Sequence, residues 1–229
     1  FALEQGKDYM IRVKAVMENG SESVSSIWSD QVDARCLALY STMSYSRNTV
    51  SWRHVVGVSG YHVRVNGDNG SVQKITDGSN CAKVVLTQSG INKIEVRYFI
   101  GEESNTSDWV SLNVRAYAMT FDTRGGVVAE DGACAPRYYA VGDEVSLPDN
   151  SSVTQLGFEL DGWYNAPGGA YGNGARYTDK TFVDVGDIVL YANWKSKEYK
   201  VTLDYNNGGD GIKEVTVEYG KEFKLPMPT

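Results

Sequence analysis

Short runs in which apolar and polar residues alternate recur along this chain. Ile11, Val13 and Ala15 alternate with Arg12 and Lys14, Tyr61, Val63 and Val65 with His62 and Arg64, and Phe158 and Leu160 with Glu159 and Asp161. Successive side chains of an extended strand point to opposite faces, so a period of two predicts strands with one buried face. Turn-forming residues separate the runs, as at Glu18-Asn19-Gly20 and Asn66-Gly67-Asp68-Asn69-Gly70, where glycine and asparagine tolerate the backbone conformations a tight turn needs. The pattern predicts a mainly β chain. It gives a hairpin from Tyr9 through Val32, then about seven strands over 37–115, among them Thr49–Trp52, Gly60–Val65, Val72–Ile75, Ala82–Leu86, Ile94–Phe99 and Trp109–Val114. Further strands are expected at Tyr117–Asp122, Gly157–Tyr164, Ile188–Trp194 and Tyr199–Asp204, with a Gly-rich loop from Ala166 to Arg176. Gly162 lets the chain turn just before Trp163, and the Gly157–Tyr164 stretch reads as a core-forming strand.

The same positions reveal two internal repeats. Setting Leu3 against Leu86 brings Ile11 onto Ile94 and Val13 onto Val96; setting Gly20 against Gly101 shifts the register by two and brings Trp28 onto Trp109. A shift of two keeps every side chain on its own face, so both alignments support one inward set. Tyr9 then falls opposite Asn92 or Gly90. Later, Tyr199–Asp204 repeats Tyr117–Asp122, Asn207-Gly208-Gly209 repeats the turn at Gly125-Gly126, and Tyr219 to Pro226 matches Val141 to Pro148. This second repeat is about 80 residues long and breaks off at Thr229 before its own Gly-Trp-Tyr.

The Leu3 to Tyr9 spacing, the Tyr-x-Ile-x-Val-x-Ala run and the Asn-Gly turn resemble the last strands of a fibronectin type III domain. In that family a tyrosine at the place of Tyr9 forms a corner whose hydroxyl reaches back to upstream backbone. Trp52 followed by Gly60–Val65 is similar to strands B and C of the same sandwich. From 116 onward the order of landmarks is similar to the internalin B-repeat, or Listeria-Bacteroides repeat: Thr120-Phe121-Asp122, Gly125-Gly126, Leu147-Pro148, Gly157-Phe158 with Gly162-Trp163-Tyr164, then Leu190-Tyr191-Ala192 with Trp194. Val141 stands where that pattern usually has Tyr, and Val127 to Pro136 is longer than its counterpart in the second copy. The resemblance implies immunoglobulin-like β-sandwiches followed by β-grasp-like B-repeats: 1–35 as the C-terminal part of a fibronectin type III domain, 36–115 as a whole one, 116–197 as a B-repeat-like domain and 198–229 as the N-terminal part of a second. Ala116 to Met119 is a short junction without a Pro-rich or Gly/Ser-rich linker, which predicts closely abutted modules.

Composition narrows the chemistry. A net charge of −7 and a pI near 4.9 argue against a phosphate backbone as partner, since nucleic-acid binding needs a concentrated basic face. Arg12, Lys14, Arg64, Lys93 and Arg97 stand singly along strands, as on a solvated sheet face. No run of about 18 apolar residues occurs, so no transmembrane segment is read in this chain; no basic-then-apolar leader opens it, and Phe1 reads as the middle of a domain. Cys36, Cys81 and Cys134 lack the spacing of a zinc site and read as buried or incidental thiols, a Cys36 to Cys81 bridge being the alternative.

Each candidate site has a structural reading beside it. Trp163 and Tyr164, with Tyr171, could form a sugar-stacking platform, but large aromatics dominate small cores. His54 and His62 lack a third ligand and read as surface-facing strand residues rather than a metal site. Asp204 to Asp210 offers calcium-like oxygens, yet Asx and glycine are also what a strand turn requires. Glu102-Glu103 and Asp143-Glu144 are paired carboxylates expected in solvated turns. No nucleophile elbow, phosphate loop or zinc-protease motif is present, so no catalytic, cofactor or metal residue is assigned. The expectation is a non-catalytic spacer and interaction region of a larger secreted or cell-surface bacterial protein. Its expected partners are neighbouring domains of that protein and a protein or glycan at a host or cell surface. Accessory domains of a secreted glycosidase or peptidase, and a carbohydrate-binding module, are the alternatives.

Overall fold

The computed structural model describes residues 8–35, 43–168, 173–204 and 212–225. Among them there is no helix, and the strands fall into several sheets, as the alternating pattern predicts. Contacts divide the chain into two compact units: 1–45, 49–84 and 93–113 form the first, and 46–48, 85–92 and 114–229 the second.

The first unit opens with two ribbons. β1 (Asp8–Ile11) pairs antiparallel with β4 (Val32–Arg35), and β2 (Val16–Asn19) with β3 (Glu22–Ser25). Apolar side chains on them are exposed, Met17 at 70% and Val24 at 67%, as are Val13 and Trp28 between them. The strands that follow are β5 (Ser44–Ser46), β6 (Thr49–Ser51), β7 (Gly60–Val65), β8 (Gln73–Ile75), β9 (Cys81–Lys83), β10 (Gly90–Ile100), β11 (Glu102–Thr106) and β12 (Val110–Asp122). One sheet has the order β5-β6-β9; in another, β12, β10, β7 and β8 are successive neighbours, with β11 folded back on β10. Val50, Trp52, Tyr61, Val63, Ile94, Val96 and Phe99 are buried. Trp52 packs against Tyr61 with ring centroids 5.1 Å apart, and the Tyr61 hydroxyl accepts the Val55 amide at 2.7 Å.

Two sequence expectations change here. Trp109–Val114 and Tyr117–Asp122 belong to one strand, β12, because the intervening residues supply no glycine or proline to stop it. His62 is not surface-facing: it is 6% exposed, stacks on Phe99 at 4.9 Å and accepts a hydrogen bond from Arg97 at Nδ1, whereas His54 is exposed.

In the second unit β12 lies between β14 (Arg137–Tyr139), antiparallel, and β17 (Ile188–Ser196), parallel, with Met119 opposite Ile188 and Phe121 opposite Leu190. β16 (Phe158–Tyr164) pairs antiparallel with the far edge of β17. A ribbon of β13 (Val127–Val128) and β15 (Val153–Thr154) lies in the same unit, and β18 (Glu198–Asp204) and β19 (Ile212–Glu218) form a closing hairpin. Met119, Tyr139, Val153, Leu160, Trp163, Phe182, Leu190 and Ala192 are its core. The paired carboxylate Asp143 is not solvated as expected. It is fully buried, its two oxygens accepting the amides of Ala140 and Asn48, while Asn48 Oδ1 accepts the amide of exposed Glu144.

Candidate interaction surfaces

The landmarks of the 116–195 stretch are packed against one another. Trp163 is 3% exposed, meets Phe121 edge-on at 5.0 Å and donates its indole N–H to the Pro148 carbonyl at 2.8 Å. Gly-Trp-Tyr and the apolar-Pro step are therefore joined by one hydrogen bond. Trp194 donates to the Thr123 carbonyl at 2.9 Å and lies over Gly126, where an added Cβ would come within 2.4 Å of the indole. The glycine turn is thus required by the tryptophan above it. Tyr164, also buried, donates its hydroxyl to Asp161 at 2.6 Å, and Asn193 donates to the same oxygen at 3.1 Å. These two bonds hold the Asp161 carboxyl below the usual carboxylate range, and the bond to Asp161, with burial, raises the Tyr164 hydroxyl. No flat aromatic face is left at Trp163 for a sugar; Tyr171, the third member of that platform, lies outside the described residues.

In the first unit the scattered basic residues are organised around Trp109. The guanidiniums of Arg64 and Arg97 lie 4.1 and 4.4 Å from its ring centre, a distance at which a cation is attracted to an aromatic face. Beneath them Glu95 is 3% exposed and paired with Arg64 and Lys93 at 2.9 Å each. Burial alone would raise its pKa, but the hydrogen bonds from Lys93 and Arg64 outweigh it and the carboxyl is held low. Sequence reasoning took these cations for a solvated face. The missed signal was a glutamate flanked along one strand by Lys93 and Arg97 and lying opposite Arg64 on the neighbouring one.

Two smaller features reward comparison with the first ribbon. Lys14 lies 5.1 Å above Trp28 as Arg97 lies above Trp109. Ser26 exchanges hydrogen bonds with the Ala15 backbone as Ser107 does with Tyr98. The two registers read in the sequence are therefore both real, one holding before the turn and the other after it. Asn92, the counterpart of Tyr9, is fully buried; it accepts the Thr87 amide and donates to the Gln88 carbonyl. An amide side chain thus supplies the bond to upstream backbone that a tyrosine hydroxyl would supply. The upstream backbone to which the corner expected at Tyr9 would bond lies outside the described residues.

Among the other sequence candidates, Cys81 is exposed and Cys134 half-buried, its thiol pushed up by burial; Cys36 lies outside the described residues. So do 205–210 of the calcium-like stretch. Among the described residues no cluster of three or more His, Cys, Asp or Glu could hold a metal ion, and no helix is long and apolar enough to cross a membrane. An open groove of about 540 Å³ is lined by Asp161, Asn193, Trp194, Lys195, Ser196 and the charged ends Glu198, Glu218 and Lys221.

Residues 117–193 match the Listeria-Bacteroides repeat domain family. Two curated relatives come from Evansella cellulosilytica. One, named "Putative Gly-rich membrane protein", is 31% identical over 85 residues, covering 37% of this chain and 10% of its own length. The other, named "Putative membrane protein", is 25% identical over 130 residues, covering 54% of this chain and 17% of its own length. This chain therefore spans only 10% and 17% of these relatives. No solved structure matches it.

Proposed function

We propose that this chain is a non-catalytic run of consecutive β modules in a larger bacterial protein displayed at, or secreted from, the cell surface, where it spaces and presents the domains around it. The observation that carries this reading is the use to which the distinctive residues are put. Trp163, Trp194, Tyr164 and Asp161 bond to the repeat's own backbone or to one another, so its motif is framework rather than a reaction centre. The match of 117–193 to a repeat family and the two relatives named as membrane proteins agree with a surface location.

Within this reading 36–115 is a fibronectin type III domain and 1–35 the end of another. The split into a β5-β6-β9 sheet and a β12, β10, β7, β8 set, with Trp52 buried against Tyr61, supports the first. The matching serine and cation-over-tryptophan pairs support the second. The parallel β12–β17 pair supports a β-grasp-like repeat. The same modules would serve as accessory domains of a secreted glycosidase or peptidase, because a module does not dictate the chemistry of its neighbours.

Antibody raised against the chain and applied to unpermeabilised cells of the source bacterium is the test. Labelling of intact cells, or recovery of the protein in the medium, is expected; signal only after permeabilisation would refute a surface role. A broad glycan array run with the same protein is expected to stay silent, and a specific hit would favour the carbohydrate-binding reading.

A further inference from the structure

We infer that Tyr219 is the joint by which one repeat is fixed to the repeat before it, with the Gly157-Phe158 corner as its socket. This rests on 116–197 and 198–229 belonging to consecutive repeats, and not on where the protein works. Three segments meet at the corner. The Lys197 amide donates to the Gly157 carbonyl at 2.9 Å, and the Tyr219 amide donates to the Lys197 carbonyl at 2.9 Å. The Tyr219 ring lies across Gly157 so closely that a Cβ there would stand 2.2 Å from Cδ1, and it meets Phe158 edge-to-face at 5.4 Å. Gly157 also has φ +77°. Glycine is thus required twice, by its left-handed backbone and by the ring that occupies the place of a side chain.

The counterpart of Tyr219 in the first repeat sharpens the inference. It is Val141, which is 56% exposed. The turn it begins, Val141-Gly142-Asp143, meets the preceding sequence by a different chemistry: Asp143 accepts the Asn48 amide at 2.9 Å, and Asn48 in return accepts the Glu144 amide at 2.8 Å. In both repeats the residues around this glycine touch what comes before. An aromatic is used where a repeat precedes, and a carboxylate where the β5–β6 turn does. In this chain, then, tyrosine stands at 219, where a repeat precedes, and valine at 141, where the β5–β6 turn does. The partner this surface fits is another copy of the repeat, presenting glycine followed by an aromatic at the start of its β16 equivalent.

Hydrogen exchange on the whole chain decides the matter, with Tyr219→Val, which installs the residue of the first repeat, and Tyr219→Phe, which keeps the ring. Tyr219→Val is expected to speed exchange of β18 and β19 amides by about tenfold or more while leaving β16 and β17 at their original rates. Tyr219→Phe is expected to behave as the parent. Unchanged β18–β19 exchange in Tyr219→Val would overturn the inference. So would loss of protection throughout 117–196, because Tyr219 would then belong to the first repeat's own core. Either result is independent of surface labelling, which tests the location of the protein and not its joint.

Discussion

Ile11 and Val13 stand in the same alternating pattern as Ile94 and Val96, yet the first pair is 42% and 66% exposed and the second fully buried. The local details agree as well: each copy has a cation over a tryptophan and a serine that crosses to the neighbouring strand. What differs is the company. Ile94 and Val96 belong to a unit in which Val50 of β6, Trp52 just after it, Tyr61 and Val63 of β7 and Ala82 of β9 are buried too. The strands of 8–35 form two separate two-stranded ribbons, β1 with β4 and β2 with β3. Period two thus decides which face is apolar, and the number of strands brought against that face decides whether it is buried. Two-stranded ribbons bury too little to be stable alone.

The comparison recurs in the second unit, where Tyr117 and Met119 are packed into a core and their counterparts Tyr199 and Val201 lie on a two-stranded hairpin. The largest contrast is expected there. Trp163→Ala should cost the covered repeat about 3–5 kcal/mol, the range for emptying a large aromatic from a core, whereas Tyr199→Ala, at a residue 45% exposed, should cost less than about 1 kcal/mol. Urea unfolding of each variant checks it, and equal losses would break the comparison. Next, Ile94→Ala is expected to lose about 2–5 kcal/mol against under about 1 kcal/mol for Ile11→Ala. A large effect at Ile11 would mean that its face is covered after all.

Smaller is the effect of Asn92→Ala, which leaves the Thr87 amide and the Gln88 carbonyl without their side-chain partner. About 1–3 kcal/mol is expected, read by thermal unfolding, with faster amide exchange at Thr87. The smallest effect concerns pH. Burial, and then the nearby Arg97, lower the His62 pKa, with Glu103 opposing and Lys74 adding to the fall. An unfolded chain then binds the proton more readily than the folded one below about pH 6.5. Stability of the strands that bury His62, β7 and β10, should therefore be complete above that pH and decline as the solution is acidified below it. The decline should vanish in His62→Gln. The ribbons of 8–35 contain no histidine and should show no such slope in that window.

Much of the fold was legible in the residues. Phe158 and Leu160 alternate with Glu159 and Asp161, and that stretch is β16; Ile94 and Val96 mark β10 and face inward as expected. β11 escaped, because Glu102 to Thr106 is polar throughout and is held as a strand by its pairing with β10. Parallel pairing of β12 with β17 was also invisible, since two strands so far apart in sequence carry no shared local mark. Asp143, read as a solvated turn carboxylate, is buried because two backbone amides converge on it. His62 is buried because Phe99 and Arg97 close over it from the neighbouring strand.

The sequence by itself determined the class of the protein, its repeats and the inward face of its main strands. Those follow from period, turn chemistry and recurrence, which are properties of neighbours along the chain. Only the tertiary structure decided which apolar faces are covered, that Trp163 donates its indole N–H to the Pro148 carbonyl, and that Tyr219 lies across Gly157. Each of these depends on residues distant in sequence arriving at one place, and at Gly157 the fit exists because the absence of a side chain there is matched by the ring of Tyr219.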